Sequence, residues 1–126
     1  MNNKKIGSDF EQEACKLLAE LGYWVHFITP DKRGAQPFDI IAAKSNRPYA
    51  IDCKTCVSKT FSISRLEDNQ VFAFEKWLDC GNLLPYIFVK HKEHILCIPY
   101  TILRSLKSIK LDDDNLRFYE VHRWMQ

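Results

Sequence analysis

The stretch Pro37–Thr55, PFDIIAAKSNRPYAIDCKT, restricts this chain more than any other. Two apolar runs, Phe38–Ala43 and Tyr49–Cys53, flank the polar segment Lys44-Ser45-Asn46-Arg47-Pro48, which is the pattern of a β-hairpin. A turn centred on Ser45-Asn46 sets Lys44 against Arg47, and counting back along both strands brings Asp39 opposite Asp52. Successive strand residues point to opposite faces, so Asp52 and Lys54 share one face with Ala50 behind them. Two carboxylates across a ladder repel each other, and a hairpin carries them most readily with a cation in between. The hairpin reads as half of a metal site.

At 126 residues, 46% hydrophobic and 13% aromatic, the chain is expected to form a single folded domain over residues 1–126. Its net charge of +2 is too small to demand a nucleic-acid partner, although a local basic surface can hide within it. No apolar run approaches the roughly 18 residues of a membrane span, and MNNKKIGSDFEQE lacks the apolar stretch of a secretory signal. Five cysteines without a regular framework suit a reduced, cytoplasmic protein.

Residues 1–6 read as a loose basic tail. The spacing then predicts a helix from Asp9 to Leu21, stopped by Gly22, with Phe10, Ala14, Leu17, Leu18 and Leu21 on one apolar arc. Glu11 lies toward that arc, against the pattern. It could close a capping box with Ser8, or point at the hairpin and complete its carboxylate cluster. The company of Asp39 and Asp52 favours the second. Tyr23–Thr29 reads as a strand in which His26 is packed or half-exposed rather than a ligand. Pro30 ends it, and Asp31–Gln36 forms a basic loop whose Lys32 and Arg33 are either solvated or in contact with phosphate.

Beyond the hairpin, Phe61–Ser64 alternates like a short strand, and a helix is expected over Glu67–Asp79. Gln70 falls inside that helix's apolar arc, beside Phe74 and Trp77. A buried amide needs partners, because leaving it unpaired costs roughly 1–3 kcal/mol. It either bonds the helix start or aims at a site. Tyr86–Lys90 and Ile95–Pro99 make a second hairpin, and Tyr100–Lys107 a short helix packed through Ile102, Leu103 and Leu106. Asp112–Asn115 reads as a solvated acidic turn and Leu116–Trp124 as a final edge strand. Cys53-Lys54-Thr55-Cys56 and His91-Lys92-Glu93-His94 have the spacing of zinc ligands, but residues an odd number apart on a strand face opposite ways.

A glutamate on the first helix, then Pro-Phe-Asp, then Asp-x-Lys on the next strand resembles the PD-(D/E)XK nucleases. Within them, Gly7-Ser8-Asp9-Phe10-Glu11 is similar to the start of the Holliday-junction resolvases, archaeal and RecU-type. The resemblance covers residues 7–75. It implies an α/β restriction-endonuclease-like core, a mixed central sheet with the first helix on one face and the Gln70 helix on the other side or edge. It makes Glu11, Asp39 and Asp52 the metal-holding carboxylates, Lys54 the lysine near the attacking water and Gln70 the glutamine of the following helix. The expected cofactor is Mg²⁺, with Mn²⁺ able to substitute. Phe38 is an extra residue between Pro37 and Asp39, Cys53 fills the variable slot, and no junction-inserting stalk is visible.

The chemistry suits the residues without the family. Phosphodiester hydrolysis needs a positioned water and relief of charge building on the phosphate. Carboxylates suit Mg²⁺, a hard ion that prefers oxygen ligands. Lys32, Arg33, Lys59 and Arg65 are candidates to grip phosphates. The expectation is a Mg²⁺-dependent DNA endonuclease acting on branched or four-way-junction DNA. Symmetrical cutting needs two active sites and hence a two-fold homodimer. The alternatives are a restriction- or repair-type nuclease, a non-catalytic DNA- or protein-binding domain with the same fold, and a zinc or redox module.

Overall fold

A computed structural model describes residues 3–29 and 36–126. In order they form α1 (Asn3–Glu20), β1 (Trp24–Phe27), β2 (Ile40–Lys44) and β3 (Arg47–Thr55). Next come β4 (Thr60–Ser62), a 3₁₀ turn (Ile63–Arg65), α2 (Asp68–Asp79), β5 (Tyr86–His91) and β6 (His94–Pro99). The remainder is α3 (Tyr100–Leu106), β7 (Ser108–Lys110), α4 (Asp113–Phe118) and α5 (Val121–Trp124).

The hairpin forms in the expected register, with Lys44 against Arg47 and Ile40 against Ile51. Ser45 and Asn46 both take positive φ, 54° and 66°, the backbone of a tight turn whose twist matches that of its strands. The hairpin is the β2–β3 half of a five-stranded mixed sheet in the order β1-β2-β3-β5-β6. The β3–β5 pair is parallel, and α2 lies within the crossover that makes it so. The Tyr86–Val89 run is buried throughout because both faces of β5 are covered.

One face of the sheet packs Ile40, Ile51 and Phe88 under Phe10, Ala14 and Leu18 of α1, with Val121 and Met125 from the end of the chain. The other packs Ala50, Ile87 and Val89 under Phe74 of α2 and Leu103 of α3, with Phe61 and Ile109 from the small β4–β7 sheet. The Gln70 helix thus covers the face opposite α1.

Several expectations need correction. α1 starts at Asn3, so the segment read as a loose tail is largely helical, and Ser8 lies inside the helix. An interior Ser8 cannot cap the helix, so the capping-box account of Glu11 is excluded. The helix stops where expected: Gly22 takes φ 92°, and Tyr23 N–H donates to Leu18 O at 3.0 Å. The Phe61–Ser64 strand is shifted to Thr60–Ser62 and runs into the 3₁₀ turn. Asp112 caps α4 by accepting from Asn115 N–H, so the acidic run opens a helix instead of a turn. Leu116–Trp124 holds two short helices around a single bridge from Glu120 to Leu96, not an edge strand. Leu106 is exposed rather than packed.

Phe38, the extra residue before Asp39, is buried, with its ring 6.3 Å from Phe74 and 5.8 Å from Trp77. It anchors the entry of β2 against α2 and so fixes where Asp39 begins. Phe38→Ala is expected to lower the free energy of unfolding by about 3 kcal/mol, read by urea denaturation. A loss below about 1 kcal/mol would show that the ring does not anchor this turn.

Candidate active site

Asp39 ends the bend before β2, where the backbone leaves the ladder. Its N–H still donates to Ile51 O at 3.0 Å, but its carbonyl turns to Ile28 N–H at 2.8 Å. The side chain fills the resulting gap, Oδ2 accepting from Cys53 N–H at 2.8 Å. A carboxylate thus stands where a strand carbonyl would otherwise serve, and this draws Asp39 against β3.

Asp52 is fully buried on the α2 face of β3. Its Oδ1 accepts from Gln70 Nε2 at 2.9 Å. Its Oδ2 lies 3.4 Å from Lys54 Nζ yet has no hydrogen-bond partner. Lys54 Nζ in turn donates to Gln70 Oε1 at 3.1 Å. The same Oε1 accepts from Glu67 N–H at 2.9 Å and so satisfies an amide at the start of α2. One amide therefore caps its helix and also joins Asp52 to Lys54.

Burial pushes the Asp52 carboxyl well above the usual carboxylate range, Asp39 adds to the rise, and Lys54 opposes it. Glu11, half-buried on α1, is pushed up to about 7 by burial and then by the Asp39 charge, with Lys54 again pulling it down. The three carboxylates and the lysine therefore occupy one electrostatic neighbourhood at the end of the hairpin.

Among the described residues, no three His, Cys, Asp or Glu side chains already converge closely enough to cage an ion. Asp39 and Asp52 feel each other's charge, and Glu11 feels that of Asp39. The donors are hard carboxylate oxygens, one of them buried and unpartnered, which is the set a divalent cation takes.

Of the expected phosphate-gripping residues, Arg65 donates from Nη2 to Thr55 O at 2.9 Å and lines the same groove as Lys54. Lys59 is exposed on the loop between β3 and β4. Lys32 and Arg33 lie outside the described residues. His26 is exposed and stacked on Trp24. The zinc-like spacing separates in space: Cys53 packs toward the α1 face and Cys56 toward the other, while His91 is buried and His94 exposed. Phe38 and the Cys53 amide, which together place Asp39, were missed from the sequence. The one available signal was an aromatic residue directly before the aspartate.

Two acids and a lysine at the end of a hairpin, in a mixed sheet with helices on both faces, define the restriction-endonuclease-like, or PD-(D/E)XK, nucleases. A profile for the archaeal Holliday junction resolvase family, Hjc, matches residues 2–123, and the chain belongs to that family. Nucleases of this family generally depend on a divalent metal. The fold is similar to that of Hjc, a Holliday junction resolvase from the archaeal hyperthermophile Archaeoglobus fulgidus. The TM-score is 0.67 at 19% identity, covering 91% of this chain and 94% of that one. No curated protein matches the sequence.

The raised carboxyl groups set a pH dependence. Glu11 binds its proton more tightly folded than unfolded, so its contribution to stability is fully present below about pH 4.5 and is lost as pH rises through about 7. Glu11→Gln removes that loss. In EDTA, the melting temperatures of variant and wild type are expected to coincide near about pH 4.5, the variant lying higher at about pH 8. Parallel melting curves across the range would show that Glu11 is not held in this strained neighbourhood.

Proposed function

We propose that this chain is a Mg²⁺-dependent endonuclease that hydrolyses phosphodiester bonds in branched DNA, with Glu11, Asp39 and Asp52 holding the metal. The observation that carries this reading is the buried Asp52, one oxygen fixed by Gln70 and the other unpartnered beside Lys54. A divalent ion held there would supply Lewis-acid activation of water and relief of charge at the phosphate, and Mn²⁺ would serve in place of Mg²⁺.

The chain's own groups account for the rest. Lys54, held by Gln70 Oε1 and by the Asp52 charge, keeps its ammonium at the edge of the carboxylate cluster. There it orients the attacking water or donates to a phosphoryl oxygen as negative charge develops. Gln70 acts through its neighbours, fixing Asp52 Oδ1 and Lys54 relative to each other. Arg65 and Lys59 supply phosphate contacts around the cleft, Lys32 and Arg33 being further phosphate-binding candidates from their charge alone, and such contacts set affinity and register more than sequence preference.

Family membership favours the four-way junction as substrate. Paired symmetrical cuts favour a homodimer acting as a single-domain nuclease, residues 1–126 forming each protomer's domain. Among the described residues no helix is long and apolar enough to cross a membrane, and a cytoplasmic location accords with the free cysteines.

Nicking of a labelled four-way junction and of linear duplex, with Mg²⁺ and with EDTA, tests the proposal. Asp52→Asn is expected to abolish nicking while leaving junction binding intact, and Lys54→Ala to slow it by roughly 10²–10³-fold. Undiminished cutting by Asp52→Asn would sink the assignment. Equal cutting of linear duplex would keep the nuclease and remove its preference for branched DNA.

A further inference from the structure

A groove of ≈ 710 Å³ opens beside Lys54, between the second turn of α1 and the loop from Cys56 to Lys59. Gly7 lies on its α1 side, Val57 and Ser58 on its loop side, and Arg65 is also part of its lining. Two features of its walls have no use in the fold.

The first is Gly7. It sits within α1, where glycine destabilises a helix relative to alanine. A Cβ added there would meet no atom within 4 Å, and no positive φ requires glycine. Packing and backbone geometry both leave room for alanine. What glycine alone provides is a bare stretch of helix backbone facing the groove, to which another chain can come close.

The second is Val57, 98% exposed. A single exposed apolar residue is ordinary on a mobile surface loop. This loop, however, is tied down on both sides of Val57. Cys56, itself buried, donates its N–H to Lys90 O at 2.9 Å, and its carbonyl accepts from Nδ1–H of the buried His91 at 2.8 Å. Ser58 Oγ donates to Thr60 O at 2.8 Å, and Lys59 O accepts from Leu111 N–H at 2.7 Å. The fold thus fixes an apolar side chain in water, next to the lysine of the active site.

We propose that this groove seats one strand of the branched DNA, Gly7 admitting its sugar–phosphate backbone against α1 and Val57 packing on the deoxyribose or base beside the phosphate at Lys54. The inference builds on the nuclease reading and names two residues that determine how the substrate is held. An apolar contact to sugar and base faces complements Arg65, whose charge attracts the strand without distinguishing its shape.

The test compares wild type, Gly7→Ala and Val57→Ser in three measurements: thermal melting, affinity for a labelled four-way junction in EDTA, and nicking in Mg²⁺. Gly7→Ala is expected to raise the melting temperature by a few degrees and yet weaken junction affinity about tenfold. A purely structural glycine would not separate the two. Val57→Ser is expected to leave melting unchanged, lower affinity by about fivefold and raise KM more than it lowers kcat. Wild-type affinity in both variants overturns the proposal and leaves the nuclease reading standing. Weakened affinity in both, with no nicking by the wild type, overturns the catalytic reading and retains the groove.

Discussion

A carboxylate taken wholly out of water is costly unless its charge is balanced and its oxygens are bonded. Asp52 is such a group, and much of this structure exists to hold it. It lies on β3, with β2 on one side, β5 on the other, and helices over both faces. Gln70 satisfies one oxygen and Lys54 faces the second without a formed hydrogen bond. The Gln70 amide also completes the start of α2, so the helix and the candidate site depend on the same group. The bond from Glu67 N–H holds the Gln70 amide in place.

The sheet's irregular corner does the remaining placement. β2 begins one residue after Asp39, and a side-chain oxygen takes over a hydrogen bond that the ladder can no longer offer. Phe38 pins that corner against Phe74 and Trp77. Glu11 arrives from the opposite side of the sheet on α1, and the meeting of elements from both layers concentrates negative charge at one end. Crowded carboxylates disfavour the fully ionised state, and a cation among them would offset that cost at the proposed site.

Much of this was legible in the residues. The hairpin register followed from a two-residue turn and a period of two, both local properties. Glu11 and Gln70 announced themselves as polar groups in apolar arcs, a conflict that only a tertiary partner resolves. Other elements were not legible, for equally physical reasons. The Ser8-to-Glu11 spacing is a true capping pattern, but the helix continued through it to Asn3, and a cap needs an end. The alternation of Leu116–Trp124 suggested a strand, yet Asp112 and Glu120 each cap a helical turn there and only one bridge to Leu96 forms. β7, three residues long, exists because β4 is there to pair with it.

Local chemistry in the chain therefore determined the hairpin, the helix that ends at Gly22, and which acidic, basic and amide side chains were candidates for the site. Turn preferences, side-chain alternation and helical spacing act over a few residues, so they can be read without a fold. Which of those candidates meet was decided by the tertiary structure. Asp39, Asp52, Lys54 and Gln70 come together because a parallel crossover carries α2 over the hairpin, and Glu11 because α1 covers the reverse face. Burial raises the carboxyl groups of Glu11 and Asp52 only once both layers have closed over them. Desolvation belongs to the packed molecule, and no stretch of sequence possesses it alone.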